Sequence, residues 1–245
     1  MKYVFTLFIT LLFATTANAA GTTVMYEVNG EPYEGYFISP SPNAALVLLV
    51  HDWDGLTDYE VKRANMLADM GYAVFAADLF GAGVRPTEVK DKRQHTGELY
   101  KDRAKMRALL QAALKTAGSK GANVHNAVVM GYCFGGAAVL EFARSGADLK
   151  GFVTFHGGLK TPAGQDYSKT KGKLLILHGT ADKHLTMDQF AKLATELEEK
   201  GDTHEMITYG GAPHAFTVFG KNRYRKDADK KTWNRFSEFL TETLD

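Results

Sequence analysis

The stretch "VVMGYCFGGAAVLEFARSG", Val128 to Gly146, joins a short apolar run to a helix-like pattern through a turn bounded by glycines. A strand, a sharp turn and a helix in immediate succession form a nucleophile elbow, in which Gly131 and Gly135 let the strand and the helix approach closely. Cys133, the only cysteine of the 245 residues, lies in the middle of this turn. The segment therefore predicts a strand and helix of an α/β fold and makes Cys133 a candidate nucleophile.

Five short apolar runs suit strands that are buried on both faces, because their apolar residues do not alternate with polar ones. Before them, two alternating runs flank Asn29-Gly30, a dipeptide typical of a tight hairpin turn. The sequence therefore predicts a mostly parallel sheet with an antiparallel N-terminal hairpin. The five runs are Ala45 to His51, Tyr72 to Asp78, Asn126 to Gly131, Gly151 to His156 and Lys173 to Gly179.

Helical patterns separate the apolar runs. Capping-box signatures mark the starts of two helices, one predicted through Met70 and one through Lys200. Two further helices are predicted over about residues 95–117 and 227–244. Strands that alternate with helices predict a three-layer αβα sandwich. The two signatures are Thr57 with Glu60 and Thr186 with Gln189.

The first 20 residues have the layout of a secretory signal peptide: Lys2, an apolar stretch and then small residues up to Ala20. The apolar stretch, residues 4–14, is shorter than the roughly 20 residues that a membrane span needs. We therefore expect removal of residues 1–20, a single domain over residues 21–245, and a secreted or periplasmic protein.

Charge and composition narrow the class of partner. The chain has 29 Lys and Arg against 28 Asp and Glu, and loss of Lys2 with the signal peptide leaves a formally neutral protein. Without a basic excess, neither nucleic acid nor, for the mature form, a membrane is an expected partner, and the sequence indicates no oligomeric state. Neither a phosphate-loop motif nor a metal-ligand spacing occurs, so we expect no cofactor and no metal.

An acid and a histidine follow Cys133 in the order that a nucleophile elbow requires. Asp182 comes shortly after the run ending at Gly179, and His214 lies in the loop "YGGAPHAF". In this order the histidine acts as base and then acid, and the carboxylate orients it. Each residue also has an ordinary alternative: a buried apolar cysteine, a turn-capping aspartate and a surface histidine.

Acyl transfer also needs hydrogen-bond donors for the oxyanion that develops in the transition state. The backbone N–H of Phe134, the residue after the candidate nucleophile, is the expected first donor. The N–H of Trp53, in "VHDWDGL", is the expected second donor, with a plain core tryptophan as the alternative.

The motifs "GYCFGG", "HGTADKHL", "GAPHAF" and "VHDWDGL" resemble those of dienelactone hydrolase family proteins, over about Val24 to Leu244. The resemblance implies an α/β-hydrolase fold and hydrolysis of a small ester or lactone through a cysteinyl acyl-enzyme. It also implies that Asp52, where the family usually has glutamate, holds the resting thiol away from the histidine. The shorter Asp52 side chain leaves permanent pairing of Cys133 with His214 as the alternative.

The sequence departs from the family at two arginines that hold a substrate carboxylate. Here residues 78–82 read "DLFGA", with Arg85 slightly beyond as a partial substitute, and Val218 fills the second position. Without such a clamp an anionic substrate would lack neutralisation, so we expect a neutral ester or lactone. The alternative function is a non-catalytic protein that keeps the fold and binds a small molecule in its pocket.

Overall fold

The computed structural model describes residues 20–244. The predicted signal peptide therefore lies outside the described residues, apart from Ala20. The strands are β1 Thr22–Val28, β2 Glu31–Ile38, β3 Ala45–Val50, β4 Ala73–Ala77, β5 Asn123–Tyr132, β6 Gly151–Phe155, β7 Lys173–Gly179 and β8 His204–Tyr209. The helices are α1 Asp58–Asp69, α2 Val89–Lys101, α3 Arg103–Ser119, α4 Phe134–Arg144, α5 Met187–Lys200 and α6 Lys226–Leu244.

The strands form one sheet in the order β1-β2-β4-β3-β5-β6-β7-β8. Strands β1 and β2 pair antiparallel, as do β2 and β4, and the remaining pairs are parallel. Positive φ angles of 53° at Asn29 and 83° at Gly30 make the predicted hairpin turn. The chain leaves β3 through α1 on one face of the sheet and leaves the neighbouring β5 through α4 on the other face. The crevice between the carboxyl ends of β3 and β5 is therefore the expected ligand site.

Helices cover both faces of the sheet, because alternate residues of each central strand point to opposite sides. Leu46 and Leu48 of β3 share an apolar core with α3, α4 and α5 on one face. Val47 and Leu49 share the other core with α1 and α6. These layers confirm the predicted three-layer sandwich and its mostly parallel sheet.

The helix boundaries confirm some predictions and correct others. Thr57 caps α1 with the complete predicted capping box. The single helix predicted over residues 95–117 is instead two helices, α2 and α3, because the backbone of Asp102 turns away from helical geometry at φ −107° and ψ 78°. The Asp102 carboxylate then accepts the N–H of Lys105 and starts α3.

The capping box predicted at Thr186 does not form, since the side chain makes no capping hydrogen bond. The helix α5 ends at Lys200 as predicted, and Gly201 follows it with φ 69°. Over residues 20–244, the structure contains no helix with the length and apolarity that crossing a membrane requires.

Candidate active site

The turn between β5 and α4 brings Cys133 to the carboxyl edge of the sheet. Cys133 has φ 52° and ψ −110°, a strained conformation, and its N–H donates to the Phe155 carbonyl of β6 at 3.0 Å. A Cβ on Gly131 would lie 2.4 Å from the Gly135 backbone, and one on Gly135 would lie 2.4 Å from the Val50 carbonyl oxygen. Both positions therefore require glycine, as the elbow motif predicts.

The structure brings the three predicted triad residues into one hydrogen-bonded line. His214 Nε2 lies 3.1 Å from Cys133 Sγ, and His214 Nδ1 lies 2.7 Å from Asp182 Oδ2. The second Asp182 oxygen accepts the N–H groups of His184 and Leu185 at 2.9 and 3.0 Å. The Asp182 carboxylate is thus completely bound and fixes the orientation of the imidazole.

Electrostatics in this line favour a charged histidine. Burial opposes the imidazolium, but the hydrogen bond to Asp182 and the hydrogen bond and charge of Cys133 raise the pKa of His214 to about 10. Burial also opposes the Asp182 carboxylate, but the hydrogen bond and charge of His214 lower its pKa to about 2. At neutral pH both ring nitrogens of His214 can therefore donate, one to the carboxylate and one to the sulfur.

A buried polar network supports the loop that carries His214. His156, fully buried with φ 42°, approaches Thr217 Oγ1 with Nε2 at 2.8 Å, and its ring centroid lies 5.4 Å from that of His214. Tyr59 Oη lies 2.9 Å from the same Thr217 oxygen, and Arg63 donates to the Thr217 carbonyl at 2.9 Å. Arg63 also forms a buried ion pair with α6. The loop is therefore tied to two helices and to the end of β6.

A cavity of about 450 Å³ opens above the Cys133 sulfur, within the size range of small-molecule sites. It is lined mainly by apolar surface together with several cationic or titratable groups. The lining residues are Asp52, Trp53, Val89, Arg93, Cys133, His184, His214, Ala215 and Arg223.

Of the two residues predicted as oxyanion donors, Trp53 lines this cavity and Phe134 directly follows the cavity residue Cys133. Phe134 is the first residue of α4, so its N–H is among those without a partner inside the helix. Trp53 lines the cavity and also packs against the apolar core, with the Lys92 ammonium 5.3 Å from its ring centroid. The Trp53 side chain thus contacts both the cavity and the core, and the alternative of a core tryptophan describes only part of its surroundings.

Comparison with known proteins decides the family. The model of the dienelactone hydrolase family matches residues 33–244. The chain belongs to the dienelactone hydrolase family. Membership, together with the observed sheet, confirms the predicted α/β-hydrolase fold and the predicted enzyme class, a carboxylic ester or lactone hydrolase.

Individual relatives of the family resemble the chain over most of its length. Protein usf of Aquifex pyrophilus is 25% identical over 90% of this chain and 100% of its own. A Saccharolobus solfataricus protein named "Putative carboxymethylenebutenolidase" is 22% identical over 89% of this chain and 96% of its own. The crystal structure of a dienelactone hydrolase-like promiscuous phosphotriesterase from metagenomic libraries is 28% identical, with a TM-score of 0.86 over 93% of this chain and 99% of that chain.

Asp52 occupies the position where dienelactone hydrolases usually have glutamate. It is 8% exposed, and Oδ1 accepts the N–H of Asp54 at 2.8 Å. Burial raises the pKa of its carboxyl to about 6. Among the described residues, the hydrogen-bond partner of the Cys133 sulfur is His214, so this structure has the paired arrangement that the short Asp52 side chain left open.

Arg85, predicted as a partial substitute for the family's substrate-binding arginine, does not line this cavity. Its guanidinium pairs with Glu34 at 2.5 Å, lies 3.8 Å from Asp78 and donates to the Leu56 carbonyl. These contacts fasten the loop after β4 to β2 and leave the arginine in a different surface depression.

Arg93 and Arg223 are cavity residues that the sequence did not indicate. Arg93 lies on α2, and Arg223 lies in the basic segment "KNRYRK" before α6. Neither belongs to a motif, and only the folded chain brings them to one cavity. Val218, at the family's second arginine position, is buried at 8% exposure. The cavity therefore contains two cationic side chains that the expectation of a neutral substrate did not take into account.

His178 lies at the carboxyl end of β7 and supports the site without lining the cavity. It is fully buried, and its Nε2 lies 2.8 Å from the Leu185 carbonyl oxygen. Burial lowers the pKa of His178. The residue therefore supports the turn that carries the N–H donors to Asp182.

Proposed function

We propose that the protein hydrolyses a small carboxylic ester or lactone through a thioester formed on Cys133. The observation that carries the proposal is the line from the Cys133 sulfur through His214 to Asp182, with its 3.1 and 2.7 Å contacts at the floor of a cavity. A buried apolar cysteine, the alternative for Cys133, would not need a histidine oriented towards its sulfur.

In the first half-reaction, the sulfur attacks the ester carbonyl carbon and the carbonyl electrons move to its oxygen. The N–H of Phe134, and in our proposal that of Trp53, stabilises this oxyanion. The C–O bond to the alcohol then breaks, and the proton on His214 Nε2 passes to the leaving oxygen. In a lactone the alcohol stays attached to the acyl group, because the broken bond lies within a ring.

In the second half-reaction, neutral His214 takes a proton from water as the water oxygen attacks the thioester carbon. Collapse of the tetrahedral intermediate breaks the C–S bond and releases the acid. In the acyl-enzyme, Asp182 keeps the neutral imidazole in the tautomer that accepts at Nε2, and before and after that stage its carboxylate stabilises the imidazolium.

The cationic residues of the cavity favour an ester or lactone that carries a negative charge away from the reacting carbonyl. Arg93 and Arg223 reach the same cavity from different segments, and guanidinium groups pair well with carboxylates. The substrate class that these residues support is therefore a small ester or lactone with an anionic group, in place of the neutral one expected from sequence.

The decisive test of the proposed chemistry is to trap the acyl-enzyme. The protein is mixed with a small aryl ester, quenched with acid and digested, and Cys133 should carry the acyl mass. Iodoacetamide should abolish turnover, and Cys133→Ala should remove both the adduct and the activity. Undiminished turnover by the alkylated protein would contradict the proposal. A non-catalytic binder would instead show no turnover in the parent protein, and Cys133→Ala would keep its ligand affinity.

Substrate charge is tested separately with two aryl esters of equal size, one neutral and one with a terminal carboxylate. The carboxylate ester should have the higher kcat/KM, and Arg93→Gln or Arg223→Gln should each reduce that preference by about tenfold. Lys90→Gln, on the exposed side of α2, is the matched control and should leave the preference unchanged. Equal preference in all variants would exclude the anionic substrate class.

We also propose export, on the signal-peptide pattern of residues 1–20. The measurement is N-terminal sequencing of protein recovered from the periplasm or medium of an expressing bacterium, with cleavage expected after Ala19 or Ala20. Recovery of the uncleaved chain in the cytoplasm alone would contradict it.

A further inference from the structure

A second cavity of about 450 Å³ lies near the active site. Tyr100 lines it, and the Tyr100 ring centroid lies 5.5 Å from that of Phe134, the residue after Cys133. Leu185 also lines it, and the preceding residue, His184, lines the active-site cavity. The polar or charged groups of the second cavity include Arg103, Arg144, Lys160 and Gln189, and its apolar groups include Leu159 and Leu185.

The charge balance beside this second cavity is strongly positive. Glu141, completely buried on α4, accepts hydrogen bonds from Arg103 at 2.9 Å, Arg107 at 3.1 Å and Arg144 at 3.1 Å. Over residues 20–244, Glu141 is the only carboxylate within ion-pair distance of these three arginines. One carboxylate neutralises one guanidinium, so two positive charges remain in the cluster.

Packing of α3 against α4 does not account for this excess. The buried Arg144 alone would neutralise Glu141, and Gln165 already donates a further hydrogen bond to it at 3.2 Å. At Arg235, on the surface of α6, carboxylates outnumber cations instead, because this one arginine lies within 3.3 Å of three glutamates. The excess of cations is therefore a local property of the α3–α4 junction, where the second cavity opens.

Arg144 and Arg103 differ in what they can offer to a ligand. The Arg144 side chain is 3% exposed, and its three nitrogens already donate to Gln165, Tyr167 and Glu141. Arg103 is 24% exposed, and its hydrogen bond to Glu141 uses Nη1. Arg103 can therefore donate to a ligand, whereas Arg144 contributes mainly its charge.

We propose that this second cavity binds a small organic anion, a carboxylate or phosphate monoester with an apolar body. Arg103 and Lys160, which both line the cavity, supply the guanidinium and ammonium donors for the anionic group, and Arg144 adds positive potential. The apolar body packs on Leu159, Leu185 and the Tyr100 ring. The site does not depend on the proposed chemistry of Cys133.

The test is titration calorimetry of the purified protein with benzoate, phenyl phosphate, inorganic phosphate and the uncharged benzyl alcohol. Benzoate or phenyl phosphate should bind saturably and at least about tenfold more tightly than benzyl alcohol. Inorganic phosphate should bind more weakly than phenyl phosphate, because it cannot fill the apolar part. Equal binding of benzoate and benzyl alcohol, or no saturable binding of either aryl anion, would overturn the proposal.

Matched variants locate the site. Arg103→Gln and Lys160→Gln should each weaken aryl-anion binding by about tenfold, whereas Arg107→Gln, which loses a bond to the same Glu141 but does not line this cavity, should change it by less than about twofold. Arg93→Gln in the active-site cavity and Cys133→Ser should leave the binding that depends on Arg103 and Lys160 unchanged, whatever anion the active-site cavity also binds. Loss of binding in Arg93→Gln with full binding in Arg103→Gln and Lys160→Gln would assign the anion to the active site instead. Since Lys160 makes no ion pair among the described residues, its variant tests the site without disturbing the α3–α4 junction.

Discussion

Asp182 and Asp52 are two buried aspartates near the same cysteine, yet their protonation differs. Asp182 pairs with His214 and accepts two backbone N–H groups, and its pKa falls to about 2. Asp52 accepts one N–H and has no ion-pair partner among the described residues, and burial raises its pKa to about 6. Burial opposes charge at both positions, so the partners decide the outcome.

The comparison separates two roles for a carboxylate at one site. A fully bound Asp182 stays ionised and can stabilise a cation through the reaction, as a histidine-orienting group must. A carboxyl such as Asp52, with a pKa near neutrality, changes protonation with small changes in its surroundings. Substitutions of these two aspartates should therefore reduce turnover by different factors and change the free energy of unfolding in opposite directions.

The largest expected effect is on turnover after Asp182→Asn. An amide at this position favours the wrong tautomer of His214, and we expect kcat/KM to fall by about 10³ to 10⁴. Asp52→Asn is the matched substitution at the other carboxylate and should cost less than about tenfold. The measurement is kcat/KM for an aryl ester at pH 7.5, and equal losses in the two variants would contradict the assigned roles.

The next effect concerns the imidazole itself. In the parent protein, burial lowers the pKa of His214, but its interactions with Asp182 and Cys133 outweigh burial and raise the pKa to about 10. Asp182→Asn should return it towards the ordinary value of 6.5, while Asp52→Asn should move it by less than about one pH unit. Nuclear magnetic resonance titration of the ring protons measures both. An unchanged His214 titration in Asp182→Asn would show that another group holds the proton.

A third effect is on the free energy of unfolding, which we expect Asp52→Asn to raise and Asp182→Asn to lower. The pKa of Asp52 is raised on folding, so its ionisation destabilises the protein as pH rises from 3.8 to about 6. Asp52→Asn, which cannot ionise, should therefore raise the free energy of unfolding by about 1 to 3 kcal/mol at pH 8 and leave it unchanged below about pH 4. Urea unfolding at both pH values measures this.

For Asp182, whose pKa is lowered, ionisation contributes stability above about pH 4 that is lost as pH falls through about 2. Asp182→Asn should accordingly destabilise the protein at pH 7. If Asp52→Asn also destabilised it at pH 8, burial would not be the dominant influence on Asp52.

The smallest expected effect comes from Lys92→Met. Lys92 pairs with Asp54 at 2.6 Å and lowers the pKa of Asp52 through its charge. Its removal should raise that pKa by less than about one pH unit. The stability gain of Asp52→Asn would then still begin near pH 3.8 but level off at a correspondingly higher pH. Lys90→Met, an exposed neighbour on α2, should leave that pH unchanged.

Turns that depend on a few consecutive residues could be predicted from the sequence, and so could the chain order of Cys133, Asp182 and His214. Asn29-Gly30 marks the hairpin, and the glycines around Cys133 mark the elbow, because each rests on local backbone geometry. Asp182 and His214 were predictable because parallel strands end at one edge of the sheet, which converts chain order into spatial order.

The remaining site residues escaped prediction for a physical reason. Arg93 reaches the cavity from a helix surface, where a cation looks like any solvated residue in the sequence. The break at Asp102 depends on a single residue leaving helical geometry, and the surrounding residues favour helix on both sides. Arg85 was misplaced because nothing local indicates its partner Glu34, which lies on the hairpin 51 residues earlier.

The elbow has a consequence for how new specificities arise in this protein. The amide of Cys133 bonds to β6, and Gly135 lies against the end of β3, so the sheet fixes the position of the proposed nucleophile. Other side chains that line the cavity, among them Trp53, His184 and Arg223, come from connecting segments outside the sheet. Changes in these segments can therefore alter the cavity without moving Cys133, and we expect sequence differences between relatives to accumulate there.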